Sequence, residues 1–206
     1  MLIEDFVYGH NFKIYYITDG YNAIPLVSLK KTLFDDDWNF NFDGVEIEVQ
    51  DNFITNSIQK TITDDIVLPI LNYLQRGDNS YSGILAVSCV LNEDLSYNIT
   101  DIDTFFSNMD AQATLNLIDE NLVEVFESCA NGSFSDEYDD ILINDNFSVA
   151  KLVKFNRKFN KSEINDLIES KIIKCGENVV LTSTAKTISR AKEKLSDDIK
   201  FINCEE

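Results

Sequence analysis

Residues 12–26 read FKIYYITDGYNAIPL, and residues 38–49 read WNFNFDGVEIEV. Each stretch places an Asp-Gly pair between two runs rich in apolar residues, Asp19-Gly20 in the first and Asp43-Gly44 in the second. Asp-Gly suits the two-residue turns that join antiparallel strands, because these turns need positive φ at their central residues. The two stretches therefore predict two β-hairpins, which decide the fold class of the N-terminal part.

The second hairpin also predicts which side chains are buried. Apolar and polar residues alternate on both sides of its turn, so that one face is entirely apolar and pairs Trp38 with Val49. The opposite face is expected to be an open polar surface. Its residues are Asn39, Asn41, Glu46 and Glu48.

The rest of the chain shows both helical and strand patterns. Before residue 132 these patterns predict helices over 69–76 and 111–130, the second ended by Asn131-Gly132, and an apolar strand over 83–91 paired with 95–100. After residue 132 they predict four strands and two helices. The strands are 140–144, 147–156, 178–182 and 198–203, and the helices are 163–174 and 185–195.

These elements predict an α+β fold. The N-terminal part is expected to be antiparallel and rich in hairpins. The C-terminal part is expected to be a mixed sheet, because a helix between the last two strands suits a strand-helix-strand crossover that joins parallel strands. The expected parts are an acidic α+β part at 1–132 and a mildly basic α/β part at 133–206, packed as one compact unit.

Charge is distributed unevenly along the chain, whose formal net charge is −19. Residues 1–150 hold five basic and 27 acidic side chains, a net charge of −22, whereas residues 151–206 have a net charge of +3. An acidic body repels nucleic acid and attracts basic surfaces. The first hypothesis is therefore an acidic binding protein that inhibits a basic, nucleic-acid-handling enzyme by mimicking DNA, as anti-restriction, anti-CRISPR and immunity proteins do. The alternative is that the acidity only maintains solubility.

The hypothesis assigns the partner contact to the polar hairpin face and to two acidic runs. Such runs are also typical of solvated loops, which is the alternative for them. Direct contact with nucleic acid is expected only through residues 151–200. The residues predicted to contact the partner are Asp35, Asp36, Asp37, Asn39, Asn41, Glu46, Glu48, Asp136, Glu137 and Asp139.

Several classes of site and location are disfavoured by composition. His10 is the only histidine and no CxxC pair occurs, so zinc sites and His-based catalysis are not expected. Residues 39–44 imitate the start of a calcium loop, but Gln50 stands where that loop needs a carboxylate. No metal or cofactor is predicted for the binding protein. No apolar run is long enough to span a bilayer and no secretory signal is visible, so a cytoplasmic location is expected.

A resemblance supports a second hypothesis. Residues 140–203 place an aspartate, Asp140, before a strand that carries Lys154, and a helix, the strand Val179–Thr184 and another helix follow. This order resembles the core of Mrr-like restriction endonucleases in the PD-(D/E)XK superfamily. The resemblance implies a Mg²⁺-dependent nuclease, with Asp140 as a metal ligand and Lys154 near the attacking water.

One position departs from this family's pattern. Leu152 stands where the family has its second acidic or amide ligand, and an aliphatic side chain cannot bind Mg²⁺. Either Asp139 or Asp166 replaces that ligand, or the chain is an inactive derivative. A structural subunit with an acidic surface is the third hypothesis.

Overall fold

The computed structural model describes residues 7–33, 45–49, 54–77, 79–154, 172–175 and 178–203. The chain divides into two compact units. Unit 1 contains Met1–Lys30, Asn52–Phe106 and Asp119–Ile143, and unit 2 contains Lys31–Asp51, Ser107–Ile118 and Asn144–Glu206. The units are interleaved along the chain, whereas the sequence analysis expects two consecutive parts that meet at residue 132.

The described elements are eight strands, six α-helices and one π-helical turn. The strands are β1 (His10–Thr18), β2 (Ala23–Leu33), β3 (Val45–Val49), β4 (Gly83–Leu91), β5 (Tyr97–Asp103), β6 (Phe147–Lys154), β7 (Ile172–Cys175) and β8 (Asn178–Ala185). The helices are α1 (Asn56–Ile62), α2 (Leu68–Arg76), α3 (Asn108–Leu115), α4 (Leu122–Asn131), α5 (Phe134–Glu137) and α6 (Ile188–Asn203), with the π-helical turn at Thr63–Val67. Of the helices that the structure describes, none is both long enough and apolar enough to cross a membrane.

The sheet of unit 1 has the strand order β5-β4-β1-β2, and its neighbouring strands are antiparallel. The predicted hairpin at Asp19-Gly20 is confirmed. Oδ1 of Asp19 accepts hydrogen bonds from the backbone N–H groups of Tyr21 and Asn22 at 2.8 and 2.7 Å. Gly20 has φ +93°, a conformation that glycine adopts without strain. The local chemistry of the turn therefore sets the pairing of β1 with β2.

One face of this sheet packs against α1, the π-helical turn and α2. Phe12, Ile14 and Tyr16 of β1 form a buried cluster with Ile62 of α1 and Leu71 of α2. The predicted helix at 69–76 is confirmed as α2, and the helical path begins earlier, at Asn56. Pro69, the second residue of α2, has no backbone N–H to donate to the helical hydrogen-bond pattern. The regular pattern also changes directly before α2, at the π-helical turn.

The single helix predicted over 111–130 is wrong, because the chain forms α3 and α4 there. Asn116 ends α3, and Asn121 caps α4 by accepting a hydrogen bond from the N–H of Val123 at 3.2 Å. Periodic apolar residues continue through the break, so periodicity alone joins the two helices. The predicted stop at Asn131-Gly132 is confirmed, with Gly132 in the left-handed conformation at φ +77°.

The strands of unit 2 have the order β3-β6-β8-β7, and neighbouring strands are antiparallel. The predicted strand at 198–203 is wrong, since these residues continue α6. Ile188, Ala191, Leu195 and Ile199 recur at helical spacing and pack on the sheet together, which explains the longer helix. The α+β class is confirmed, but the mixed sheet with a parallel crossover is wrong.

Two further local predictions fail in this region. Residues 140–144 form no regular strand; a bend occupies Asp140 and only residue 143 makes an isolated bridge. Residues 172–175 form β7, although the predicted helix extends to 174. The remainder of that predicted helix lies outside the described residues. β6 is confirmed over its described residues, and β8 is confirmed with an end at residue 185.

The second predicted hairpin is only partly described, because residues 38–44 lie outside the described part. Ile47 and Val49 of β3 are buried, as predicted. Glu46 and Glu48 are also buried, at 7% exposure each, so the prediction of an open acidic surface is wrong for them.

Burial of thiols makes the stability of the fold sensitive to alkaline pH. Burial raises the pKa of Cys89 to about 12 from an ordinary value near 9. The folded state then holds its proton where the unfolded state loses it, so stability is complete below about pH 9 and falls as pH rises toward 12. We expect the urea midpoint to fall between pH 8 and 11, and to fall less steeply in Cys89→Ala. Equal slopes for both proteins would contradict this assignment.

Candidate functional site

Lys13 is a charged residue in the middle of a buried strand. Its neighbours Phe12 and Ile14 belong to the apolar cluster under the helices. Because side chains alternate along a strand, Lys13 and Tyr15 lie on the opposite face of the sheet. The Lys13 side chain is only 21% exposed. A half-buried lysine at this place requires a partner or a ligand.

The strand register brings polar residues to the same face. Ser88 of β4 lies opposite Lys13, and Asp101 of β5 lies opposite Ser88. In the neighbouring row, Ala86 of β4 lies opposite Tyr15, and Asp103 of β5 lies opposite Ala86. Cross-strand neighbours share a face. We call this surface the Lys13 face, formed by Lys13, Tyr15, Ser88, Asp101 and Asp103.

Charge and aromatic rings are combined on the Lys13 face. Nζ of Lys13 donates a hydrogen bond to Oδ2 of Asp103 at 2.7 Å, and the Asp103 side chain is 19% exposed. The same nitrogen lies 5.8 Å from the centroid of the Tyr15 ring, which stacks on Phe106 with centroids 4.3 Å apart. A cation next to carboxylates and aromatic rings can hold a phosphate group, while the carboxylates can hold a cation.

Carboxylate oxygens of the Lys13 face are the kind of ligand that Mg²⁺ requires. In the part of the chain that the structure describes, no group of three or more His, Cys, Asp or Glu side chains forms a metal site. Mg²⁺ that arrives with nucleotide phosphates needs only one or two protein carboxylates. Asp101 and Asp103, two residues apart on one face of β5, supply two. The Lys13 face therefore fits a Mg²⁺-phosphate group.

A separate groove of about 550 Å³ lies beside α1. Since α1 packs on the face of the sheet that lies opposite Lys13, the groove does not belong to the Lys13 face. Its lining includes Asp140, Glu120, Gln59 and Asn56. Asp140, which the sequence analysis assigns to a nuclease site, therefore lines a polar surface groove of unit 1.

Glu46 and Glu48 belong to a buried charge network in unit 2. Both carboxylates lie against Lys192 of α6; Nζ is 2.9 Å from Oε1 of Glu46, outside hydrogen-bond angles, and donates a hydrogen bond to Oε1 of Glu48. Burial lowers the pKa of Lys192, but the hydrogen bond to Glu48 and the negative charges of Glu46 and Glu48 outweigh it, so the pKa is raised overall. These residues stabilise the fold of unit 2.

The other predicted site residues are not brought together. Asp136 and Glu137 are exposed in α5, and Asp139 is exposed in the following bend. Lys154 is the last residue of β6, and its side chain lies outside the described part of the chain. The remaining predicted contact residues also lie outside it. They are Asp35, Asp36, Asp37, Asn39 and Asn41.

The Lys13 face is not among the sites predicted from the sequence. Two signals point to it: Lys13 interrupts the apolar run of β1, and Asp101 and Asp103 alternate at the end of β5. Each signal is common in isolation. Only the antiparallel order of β1, β4 and β5 places both on one face.

The sequence model of the family described as phosphoribosylglycinamide synthetase, ATP-grasp (A) domain, matches residues 1–111, more than half of the chain. The chain belongs to this ATP-grasp family. The matched segment contains β1, β4 and β5, and with them every residue of the Lys13 face.

The alignments with relatives include most of this chain but only a small part of each relative. The bifunctional purine biosynthetic protein ADE5,7 of Saccharomyces cerevisiae is 28% identical over 139 residues, which are 63% of this chain and 17% of the yeast protein. The phosphoribosylamine–glycine ligase of Helicobacter pylori strain J99 is 25% identical over 137 residues, 64% of this chain and 32% of that ligase. This ATP-grasp chain thus spans a third or less of the length of these relatives.

Solved structures show the same fold. Phosphoribosylamine–glycine ligase from Thermotoga maritima has a TM-score of 0.66 at 13% identity, covering 94% of this chain and 53% of its own. An L-amino acid ligase from Bacillus licheniformis has a TM-score of 0.59 at 10% identity, covering 93% and 53%. Carboxyaminoimidazole ribonucleotide synthase from Aspergillus clavatus, complexed with ATP, has a TM-score of 0.58 at 12% identity, covering 96% and 52%.

Family membership corrects both sequence hypotheses. The nuclease resemblance is wrong: the chain has an ATP-grasp fold, Asp140 lies in a bend, and residues 199–203 are helical. The acidic inhibitor and DNA mimic are also wrong, because the chain belongs to the family of phosphoribosylglycinamide synthetase ATP-grasp domains. Two of the proposed surface carboxylates, Glu46 and Glu48, are buried against Lys192.

Proposed function

We propose that this chain binds ATP on the Lys13 face and acts in the ATP-dependent ligation of phosphoribosylamine to glycine. One observation carries the proposal: the match to an ATP-grasp domain covers the segment that builds the Lys13 face. The names of the relatives supply the substrates, since several are phosphoribosylamine–glycine ligases. The Aspergillus synthase, which shares the fold, was solved with ATP.

The residues of the Lys13 face have different roles in binding ATP. Lys13 holds phosphate oxygens as a compact positive charge, and Asp101 and Asp103 hold Mg²⁺. Bound there, Mg²⁺ neutralises charge on the phosphate oxygens. Tyr15 and Phe106 form an aromatic wall that keeps water away from one side of Lys13, which strengthens the attraction of its charge for phosphate.

The ligation step is tested by release of ADP from the full chain with ATP, Mg²⁺, glycine and phosphoribosylamine. We expect release that requires both glycine and phosphoribosylamine. The omission of each in turn is the control for simple ATP hydrolysis. Release that is equally fast without glycine would contradict ligation, and ATP binding would then be judged on its own titration.

A further inference from the structure

Four buried side-chain oxygens of unit 2 have no hydrogen-bond partner within the described structure. One of them, Oε1 of Glu46, lies 2.9 Å from Nζ of Lys192. The other three are Oγ of Ser148, Oγ1 of Thr114 and Oε1 of Gln112. Ser148 and Thr114 are completely buried, at 0% exposure. Buried polar groups in folded proteins are nearly always hydrogen-bonded, so an unpaired hydroxyl indicates a partner such as an ordered water.

Strand geometry places Ser148 on the side of the sheet that α3 covers. Its neighbour Val149 packs in the cluster with α6, so Ser148 lies on the opposite face. Two residues further along this face is Ala150, which is paired with Thr182 of β8. Oγ1 of Thr182 accepts a hydrogen bond from Nδ2 of Asn116, the residue after α3, at 3.3 Å. Ser148 and the C-terminal end of α3 therefore share this face.

Thr114 comes from the last turn of α3. Ala113 and Thr114 are both completely buried, and Leu117 just beyond the helix is buried as well. Asn144, which leads into β6, donates hydrogen bonds to the carbonyl oxygens of Asn116 and Leu117. The end of α3 is thus fixed beside the start of β6, where Ser148 stands.

We propose that an ordered water molecule is bound between α3 and the sheet by Ser148 and Thr114. Each hydroxyl can donate one hydrogen bond and accept others, so one water can satisfy both. Both hydroxyls are neutral and cannot compensate an ionic charge, which favours water over an ion as the ligand.

A water molecule bound at this place affects the position of α3. Ala113 of α3 is completely buried, and a water-mediated bond from Thr114 would make the position of the helix depend on a bound molecule as well as on this burial. Removal of either hydroxyl leaves the water short of a partner and should release it. This binding site is independent of the Lys13 face, because all of its residues belong to unit 2.

The test uses the full chain and the variants Ser148→Ala, Thr114→Val and the double variant. We expect each single change to lower the unfolding temperature by about 2–4 °C, as for one lost hydrogen bond. The double variant should lose less than the sum, because both changes release one water. Ser128→Ala is the matched control: Oγ of Ser128 is buried but donates to the carbonyl of Val125 at 2.8 Å. Its effect should add fully to that of Thr114→Val.

A high-resolution crystal structure gives the direct observation. Density for a water within hydrogen-bond distance of both hydroxyl oxygens would support the proposal. A dry interface would overturn it, and so would an unchanged or higher unfolding temperature for Ser148→Ala, since removal of a truly unpaired hydroxyl relieves an unfavourable burial.

Discussion

Lys192→Met is expected to lower the free energy of unfolding by about 3 kcal/mol, the lower end of the range for breaking a buried ion pair. The Glu46 and Glu48 side chains are 10% and 9% exposed, and both rely on Lys192. Without Lys192, the two neighbouring buried carboxylates lose the positive charge that lies against both of them. The lower end of the range applies because the Lys192 side chain is 41% exposed, so solvent screens the site. Urea unfolding at pH 7 measures the loss.

Two further variants separate charge from packing. Adding Glu46→Gln and Glu48→Gln to Lys192→Met should recover most of the lost stability, because no buried charge remains. Lys200→Met is the matched control, since Lys200 of α6 is 71% exposed in its pair with Asp197 and should change stability by less than about 0.5 kcal/mol. Equal losses for Lys192→Met and Lys200→Met would contradict the buried network.

Lys13→Met is expected to weaken ATP binding by about 10- to 100-fold, the loss of a charge-assisted hydrogen bond to phosphate. Methionine retains an unbranched apolar stem but removes the charge. Lys13→Arg keeps the charge and should retain much of the affinity. Calorimetric titration with ATP and Mg²⁺ compares the variants.

Lys60→Met is the control for general charge effects on nucleotide binding. Lys60 is 77% exposed on α1, on the helical side of unit 1, where it pairs with Asp64 at 3.1 Å. Its removal lowers the net charge by the same amount as Lys13→Met and should leave ATP affinity unchanged. If both variants bind ATP as tightly as the original chain, the Lys13 face is not the nucleotide site.

Local sequence signals predict the parts of the fold that local chemistry determines. The Asp19-Gly20 hairpin and the helix stop at Gly132 follow from residues whose side chains or φ angles act within a few positions. The strand predicted over 198–203 fails because Ile199 continues the helical spacing of Ala191 and Leu195, and packing on the sheet decides between the two patterns.

Local sequence signals do not predict contacts between residues that are far apart along the chain. The alternation of β3 predicts an outward direction for Glu48, and its partner Lys192 lies 144 residues away. Lys13 and Asp103 are 90 residues apart and meet only through the antiparallel order of β1, β4 and β5. The candidate site therefore depends on the order of the strands in the sheet. No short sequence motif of this chain marks that order.

Titration of ATP into the full chain, with Mg²⁺ and then with EDTA, tests nucleotide binding by the Lys13 face. We expect saturable 1:1 binding with Kd below about 1 mM, an interaction of at least about 4 kcal/mol, and its loss when Mg²⁺ is removed. Absence of saturable binding by the folded chain at millimolar ATP would contradict the assignment of the Lys13 face as a nucleotide site.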